Sequence, residues 1–295
     1  MHYPLPFVYD EPLFRPPSEA NSLILQATIG CSWNRCSFCE MYTGKRFHPR
    51  PESQLFDEIR RAGEQLGSVS RVFLADGDAM VLSTRRLLRI LEQINTHLGD
   101  VQRVSCYALP RQLRAKSTAE LEELRDAGLK LVYVGVESGD DEVLRRVDKG
   151  ETYASTIEGL RHAHSAGVAS SVMILNGLGG VQLSRQHAVH SAQVLNATQP
   201  RYASVLVVMF PTGRDRFVTK FGEGYQELDL THSLLEMRTL IDATKLENTI
   251  FRSDHASNFL VLKGVLGRDK AMLLERIDSA LAGNAALRQQ PRRGL

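Results

Sequence analysis

Short apolar runs and amphipathic stretches alternate along most of the chain. Each apolar run is rich in β-branched or aromatic residues, a pattern typical of buried strands. The pattern predicts six strands, at residues 22–27, 72–75, 103–107, 131–136, 171–175 and 204–209.

The amphipathic stretches predict helices between these strands. The clearest begins after Ser117, because Glu120 follows three residues later as in a capping box and Gly128 ends the pattern. Further helices are predicted at residues 54–65, 84–97, 153–166 and 184–196. Strands that alternate with helices form parallel βα units with right-handed crossovers. The prediction is therefore an α/β fold, and the pattern leaves open whether it is a flat doubly wound sheet or a partial TIM barrel.

Three regions are expected along the chain. Proline-rich residues 1–21 predict an N-terminal arm, and the alternating region 22–210 predicts the core. Residues 211–295 predict a helical extension packed on that core, with helices at 234–246 and 269–281 and a mobile tail from residue 288.

Composition excludes several classes of protein. The 295 residues are 43% hydrophobic, enough to bury a full core, and the net charge of +2 gives no strong signature of nucleic-acid binding. The chain starts without the basic segment and apolar run of a secretory signal, and no apolar run reaches the roughly 18 residues that span a bilayer. We therefore expect a cytoplasmic protein that has neither a membrane nor a nucleic acid as its partner.

Three of the four cysteines, Cys31, Cys36 and Cys39, lie within nine residues. Three thiolates on one loop can hold an iron-sulfur cluster or a zinc ion, or serve neither purpose. A structural zinc site needs a fourth protein ligand, and His48 and Cys106 do not follow the usual spacing. A four-iron cluster with three cysteine ligands would instead leave one iron open to a small molecule.

Polar and glycine-rich groups follow four of the predicted strands. The cysteine loop follows the first strand, residues 76–78 the second, residues 137–139 the fourth and residues 176–180 the fifth. Because ligands of α/β folds bind at the carboxyl ends of parallel strands, these groups are expected to contribute to one binding region.

The cysteine loop, with Phe38 directly before the last cysteine, resembles that of the radical S-adenosylmethionine (radical SAM) superfamily. It departs from the family spacing by one residue, because four residues instead of three separate Cys31 from Cys36. The resemblance implies a partial (β/α)6 TIM barrel with extra C-terminal helices, and a [4Fe-4S] cluster held by Cys31, Cys36 and Cys39. It also implies that SAM binds the fourth iron and is cleaved reductively. The resulting 5′-deoxyadenosyl radical would abstract hydrogen from an unknown small-molecule substrate, with flavodoxin or ferredoxin as electron donor.

Two further segments resemble SAM-binding motifs of this superfamily. Asp76, Gly77 and Asp78 resemble the motif that binds the methionyl amino group, although an exposed turn with solvated acids is the alternative. Glu137 resembles a SAM-site residue of the coproporphyrinogen-oxidase-like and elongator-type enzymes. Lys149, twelve positions later, stands where a basic residue pairs with the methionyl carboxylate.

Other groups keep two interpretations, and no catalytic residue is assigned. Gly177 is either beside the adenine and ribose or in a plain turn, and Cys106 is either a small buried hydrophobe or a site residue. The basic run from Lys45 to Arg50 is either an exposed loop or a contact for an acidic substrate. His255 is either a buried structural histidine or a substrate contact.

Two other classes of protein compete with the radical enzyme. One is a zinc-binding or iron-sulfur-binding protein without catalytic activity. The other is an electron-transfer protein whose cluster has Cys106 or His48 as its fourth ligand.

Overall fold

The computed structural model describes residues 6–288, so most of the expected C-terminal tail lies outside the described residues. The described chain forms two compact units. The first unit contains residues 6–34, 41–134 and 161–170, and the second contains residues 35–40, 135–160 and 171–288. The division crosses β6, α6 and β7, whose bounds follow.

The described part of the first half of the chain holds six strands and four α-helices. The strands are β1 (Leu23–Gln26), β2 (Thr28–Ile29), β3 (His48–Pro49), β4 (Arg71–Ala75), β5 (Arg103–Tyr107) and β6 (Leu129–Glu137). The helices are α1 (Glu52–Leu66), α2 (Thr84–His97), α3 (Pro110–Arg114) and α4 (Thr118–Asp126).

In the first unit, β1, β4, β5 and β6 lie side by side in that order and are parallel. Their inner positions are apolar and buried, with Leu25 and Phe73 fully inaccessible to solvent. The hairpin of β2 and β3 pairs Ile29 with His48 and returns the chain to α1. The cysteine loop leaves directly after β2, so this hairpin sets where the loop begins.

Up to residue 288, the second half of the chain holds six α-helices and four strands. The helices are α5 (Asp141–Arg146), α6 (Tyr153–Ser165), α7 (Gly180–Thr198), α8 (Arg214–Phe221), α9 (Leu230–Ala243) and α10 (Lys270–Leu281). The strands are β7 (Ala169–Asn176), β8 (Tyr202–Val207), β9 (Thr249–Arg252) and β10 (Lys263–Leu266).

In the second unit, β7, β8 and β9 are parallel, and β10 closes the sheet as an antiparallel edge strand. Beside the sheet lies an apolar cluster whose buried members are Val143, Val147, Leu178, Phe217, Phe221 and Tyr225. The ring centroids of Phe217 and Tyr225 are 4.7 Å apart and their planes are nearly perpendicular, a favourable aromatic geometry. This cluster anchors α8 and gives the second unit a rigid centre.

All six predicted strands are present, and the α/β class with a mostly parallel sheet is confirmed. The predicted capping box is also present, because Ser117 Oγ accepts the Glu120 amide and Glu120 Oε2 accepts the Ser117 amide. The predicted C-terminal extension is not purely helical, since it contains β9 and β10. These strands were missed because each has only four residues and a mixed exposure. No helix among residues 6–288 is long and apolar enough to cross a membrane.

Candidate functional site

The Cys31 end of the cysteine loop lies in the first unit, against the turn that follows β4. The Gly77 amide donates to the Gly30 carbonyl at 3.0 Å. A Cβ atom added at Gly77 would lie 2.9 Å from Cys31 Cβ and 2.8 Å from the Tyr42 ring. Gly77 is thus the residue that allows this turn to approach Cys31.

Asp76 already has a cationic partner. Its Oδ2 accepts the Gly30 amide at 3.1 Å and Lys45 Nζ at 3.0 Å, and Lys45 also contacts Asp10 Oδ1 at 3.1 Å. Burial raises the pKa of Asp76, and the bonds from Gly30 and Lys45 partly offset that rise. Lys45 is buried, so this part of the basic run is neither an exposed loop nor a free substrate contact.

Asp78 has a different environment. Its Oδ2 accepts the Ser32 hydroxyl at 2.5 Å, while its Oδ1 accepts no hydrogen bond from the described residues. Burial raises the pKa of Asp78 to about 6, although Ser32, Arg111 and Lys116 act to lower it. Asp76 and Asp78 are both fully buried, so the alternative of an exposed turn with solvated acids is wrong.

The Cys36–Cys39 end of the loop lies in the second unit. The Ser37 amide donates to the Val147 carbonyl at 2.9 Å, and the Cys39 amide donates to the Cys36 carbonyl at 3.1 Å. Phe38 is partly buried against the apolar cluster of that unit. The predicted aromatic position therefore fixes the loop by packing.

Glu137 and Lys149 form a buried ion pair in the second unit, with 3.4 Å between Glu137 Oε1 and Lys149 Nζ. Lys149 Nζ also lies 5.9 Å from the centre of the Phe38 ring, so three predicted site residues come together. Burial raises the pKa of Glu137, and Lys149 opposes the rise. Glu137 Oε2 has no hydrogen-bond partner among the described residues. A Cβ added at Gly135 would lie 2.0 Å from Glu137 Oε1, so that glycine provides the space for the carboxylate.

Gly177 stands at the end of β7 with a φ of +87°, in the left-handed region that favours glycine. Its amide donates to Glu236 Oε1 at 2.6 Å, and the Tyr225 hydroxyl donates to its carbonyl at 3.1 Å. Burial raises the pKa of Glu236 to about 7. Glu236 Oε1 lies 3.6 Å from Nε2 of His187.

Sequence reasoning missed Glu236, Tyr225 and His187 as supports of the site. Each belongs to or adjoins a helix and becomes significant only by contact with a residue far along the chain. His187 Nδ1 is 2.7 Å from the hydroxyl of Ser138, and burial lowers the pKa of His187 to about 4. A neutral histidine thus supports the segment that follows Glu137.

Comparison with known proteins decides the family. Residues 25–190, more than half of the chain, match the sequence model of the radical SAM superfamily. The chain belongs to the radical SAM superfamily.

Individual relatives of this radical SAM protein are distant. It is 25% identical over 170 residues to 4'-phospho-dehydrooxetanocin synthase of Priestia megaterium, and this match covers 50% of the chain and 22% of the relative. It is 22% identical over 158 residues to the heme chaperone HemW of Bacillus subtilis (strain 168), covering 53% of the chain and 41% of the relative. The chain therefore spans less than half of either relative.

The fold is that of solved radical SAM enzymes. Coproporphyrinogen III oxidase (HemN) from Escherichia coli superposes with a TM-score of 0.55 at 19% identity, over 75% of this chain and 51% of that one. Such structural neighbours are partial TIM barrels, which resolves the choice between a barrel and a flat sheet.

The residues of this radical SAM protein fit a cluster and SAM in their chemistry. None of its four cysteines forms a disulfide, and Cys31, Cys36 and Cys39 are each partly exposed. The buried oxygens Asp78 Oδ1 and Glu137 Oε2 accept no hydrogen bond from residues 6–288, as suits acceptors for ammonium or hydroxyl groups. Within that same range, no three His, Cys, Asp or Glu side chains are already gathered as a metal site.

The remaining candidates differ in their surroundings. Cys106 is fully buried, and burial together with the nearby charge of Asp78 raises its pKa, so it stays a neutral thiol. His48 is exposed, with Nδ1 3.0 Å from the Arg46 carbonyl. His255 is partly buried with Nδ1 2.9 Å from the Ser257 hydroxyl, an arrangement that agrees with both of its interpretations.

Proposed function

We propose that this radical SAM protein is an enzyme in which Cys31, Cys36 and Cys39 hold a [4Fe-4S] cluster. The observation that carries the proposal is the position of these cysteines. They lie inside the segment that matches the superfamily, and they follow β1 of the parallel sheet and the short strand β2. When bound, the cluster and SAM together supply a 5′-deoxyadenosyl radical that abstracts a hydrogen atom from a substrate.

In the first unit, we assign different roles to the two acids Asp76 and Asp78. Asp78 accepts the methionyl ammonium of SAM, because Asp78 Oδ1 needs a donor and its carboxyl is buried. Asp76 is already paired with Lys45. Its role is therefore to orient the Gly30 peptide, and the ammonium contact is left to Asp78. Gly77 keeps the turn close to Cys31.

In the second unit we assign the remaining contacts to Glu137, Lys149, Phe38 and Gly177. Glu137 Oε2 accepts a hydroxyl of the ribose, and Lys149 attracts the methionyl carboxylate while it neutralises Glu137. Phe38 shields the loop from water, and Gly177 lets the backbone approach the flat nucleoside.

The substrate and partners follow the same proposal. We expect a small-molecule substrate and an electron donor of the flavodoxin or ferredoxin kind, with the core at residues 22–210 and a C-terminal extension at 211–295. The near-neutral net charge of +2 agrees with a small-molecule substrate in preference to nucleic acid.

The decisive test is anaerobic incubation of the reconstituted protein with dithionite and SAM, with 5′-deoxyadenosine measured by chromatography. The wild-type protein should form it, and Cys36→Ala should lose both iron and product. Cys106→Ala serves as the control that keeps both, since its thiol is buried and protonated. Equal loss from the two variants would favour an electron-transfer protein with Cys106 as a ligand. Zinc without iron and sulfide would favour a structural zinc site.

A second candidate is heme carriage, supported only by the similarity to HemW. Stoichiometric heme binding, seen as a Soret band, without any 5′-deoxyadenosine would favour it over the radical enzyme.

A further inference from the structure

Glu40, the residue directly after Cys39, uses both carboxylate oxygens on one turn of the second unit. Glu40 Oε1 accepts the Gly213 amide at 2.5 Å, and Oε2 accepts the Thr212 hydroxyl at 2.7 Å. The Thr212 amide lies within 3.3 Å of both oxygens. These groups precede α8, so Glu40 caps a helix from a distant part of the chain.

The turn is shaped for this carboxylate. A Cβ added at Gly213 would lie 2.7 Å from Glu40 Oε1 and 3.2 Å from its carboxyl carbon. Any side chain at position 213 would therefore displace Glu40 from the amides that it accepts.

The same helix holds the neighbouring peptide. Arg216, in the first turn of α8, donates from its Nη2 to the Cys39 carbonyl at 2.5 Å. Helix α8 is itself fixed, because Phe217 is fully buried and Phe221 packs against Tyr225 with 4.9 Å between ring centroids. Cys39 thus has a contact on either side, because Arg216 in the first turn of α8 binds its carbonyl and the turn directly before α8 binds Glu40.

We propose that Glu40 is a positioning residue that, with Arg216, fixes the Cys39 peptide so that its thiolate keeps one orientation towards the cluster. The inference rests on the proposed function for the identity of the metal group. Contacts within the loop itself do not explain why the Cys39 carbonyl binds the first turn of α8 while the Glu40 side chain binds the turn directly before it. Groups that orient metal ligands in this way commonly decide how firmly the metal is held.

The test compares Glu40→Ala, Glu40→Gln and Arg216→Ala with Glu227→Gln. Glu227 pairs with Arg214, the first residue of α8, at 2.7 Å, so its variant controls for a weakened α8. The measurements are iron release to a chelator from the anaerobically reconstituted protein and the EPR spectrum of the reduced cluster.

We expect Glu40→Ala to release iron about tenfold faster than wild type, by analogy with other residues that orient metal ligands. Arg216→Ala and Glu40→Gln should fall between, because each keeps part of the contacts, and Glu227→Gln should match wild type. If Glu40→Ala and Glu227→Gln release iron at the same rate with unchanged spectra, Glu40 is only a helix cap and the inference is wrong.

A second measurement uses the protein without a cluster. Alkylation by iodoacetamide, followed by mass spectrometry, reports each cysteine separately. Glu40→Ala should change the rate at Cys39 severalfold and leave the rate at Cys31 unchanged; equal changes at both would indicate general unfolding and contradict positioning. A wild-type protein that never takes up iron and sulfide would end the proposed function, whereas the Cys39 alkylation result would still decide the role of Glu40.

Discussion

The two ends of the cysteine loop are held by different kinds of interaction. Around Cys31, the support is close packing against Gly77 and a buried ion pair between Lys45 and Asp76. Around Cys39, Phe38 packs on the apolar cluster, and the polar supports are hydrogen bonds and ion pairs of more exposed side chains, such as Glu40. Salt weakens contacts between exposed charges, whereas it screens buried pairs much less and apolar packing does not depend on screening. We therefore expect the Cys31 end to respond to volume and burial, and the Cys39 end to respond to ionic strength.

The largest effect should come from Lys45→Met, which leaves the Asp76 carboxylate buried without its cation. Losing one partner of a buried pair costs about 3–5 kcal/mol in the free energy of unfolding. Urea denaturation at pH 7 measures it, with Arg46→Met at an exposed neighbouring position as the control. Equal stability of the two variants would show that Lys45 is not a support of this end.

The next effect is a pH dependence caused by Asp78. Its pKa is raised from 3.8 to about 6 in the folded protein, so its neutral form stabilises the fold below pH 3.8. This contribution, of about 2–3 kcal/mol, is lost as pH rises through 6, since one pKa unit corresponds to about 1.4 kcal/mol.

Asp78→Asn removes that dependence while it keeps an acceptor for the Ser32 hydroxyl. The charged neighbours Arg111 and Lys116 remain unchanged in this variant. Relative to the variant, the wild-type protein should therefore lose stability between pH 4 and pH 7.5 in urea denaturation. A constant difference across that range would contradict the assignment.

Gly77→Ala should cost somewhat less, about 1–3 kcal/mol, because the new methyl group overpacks Cys31 and Tyr42. Gly44→Ala is the matched control in the same unit, since an added Cβ there meets no atom within 4 Å. Thermal unfolding compares the two variants, and iron uptake after reconstitution should fall only for Gly77→Ala.

The smallest effect belongs to the Cys39 end. Asp148→Asn weakens ion pairs to Arg35 and Lys220, both at 3.2 Å, with cations that are largely exposed. We expect a loss below about 1 kcal/mol that disappears in 1 M salt. A loss that persisted at high salt would place Asp148 among the buried supports and remove the contrast between the two ends.

The sequence predicted the parts of this molecule that depend on local pattern. Apolar runs identify β4 and β5, because a strand that is buried on both faces consists mostly of apolar residues. Ser117 with Glu120 identifies the start of α4. Motifs at strand ends likewise led to Gly77 and Glu137, and the spacing of a family motif led to Lys149. Glu137 and Lys149 form a buried ion pair in one unit, a contact between them that the motifs did not predict.

Partners that meet through the fold had no local signal. Lys45 reaches Asp76 across 31 positions, and Gly177 reaches Glu236 across 59. The sequence could not show that Asp76 is already paired with a buried lysine. Because of this pairing, we assign the proposed ammonium contact to Asp78. The short strands β9 and β10 were missed for a related reason, because their pairing and not their composition defines them.

The space beside Gly135 has a practical consequence for anyone who alters this protein. The Glu137 carboxylate occupies the volume that any larger residue at position 135 would need. Saturation mutagenesis of β6 that aims to change substrate preference should therefore leave Gly135 unchanged. A variant at position 135 could lose activity because the new side chain displaces the Glu137 carboxylate, two residues along the strand, and not because it changes the substrate pocket.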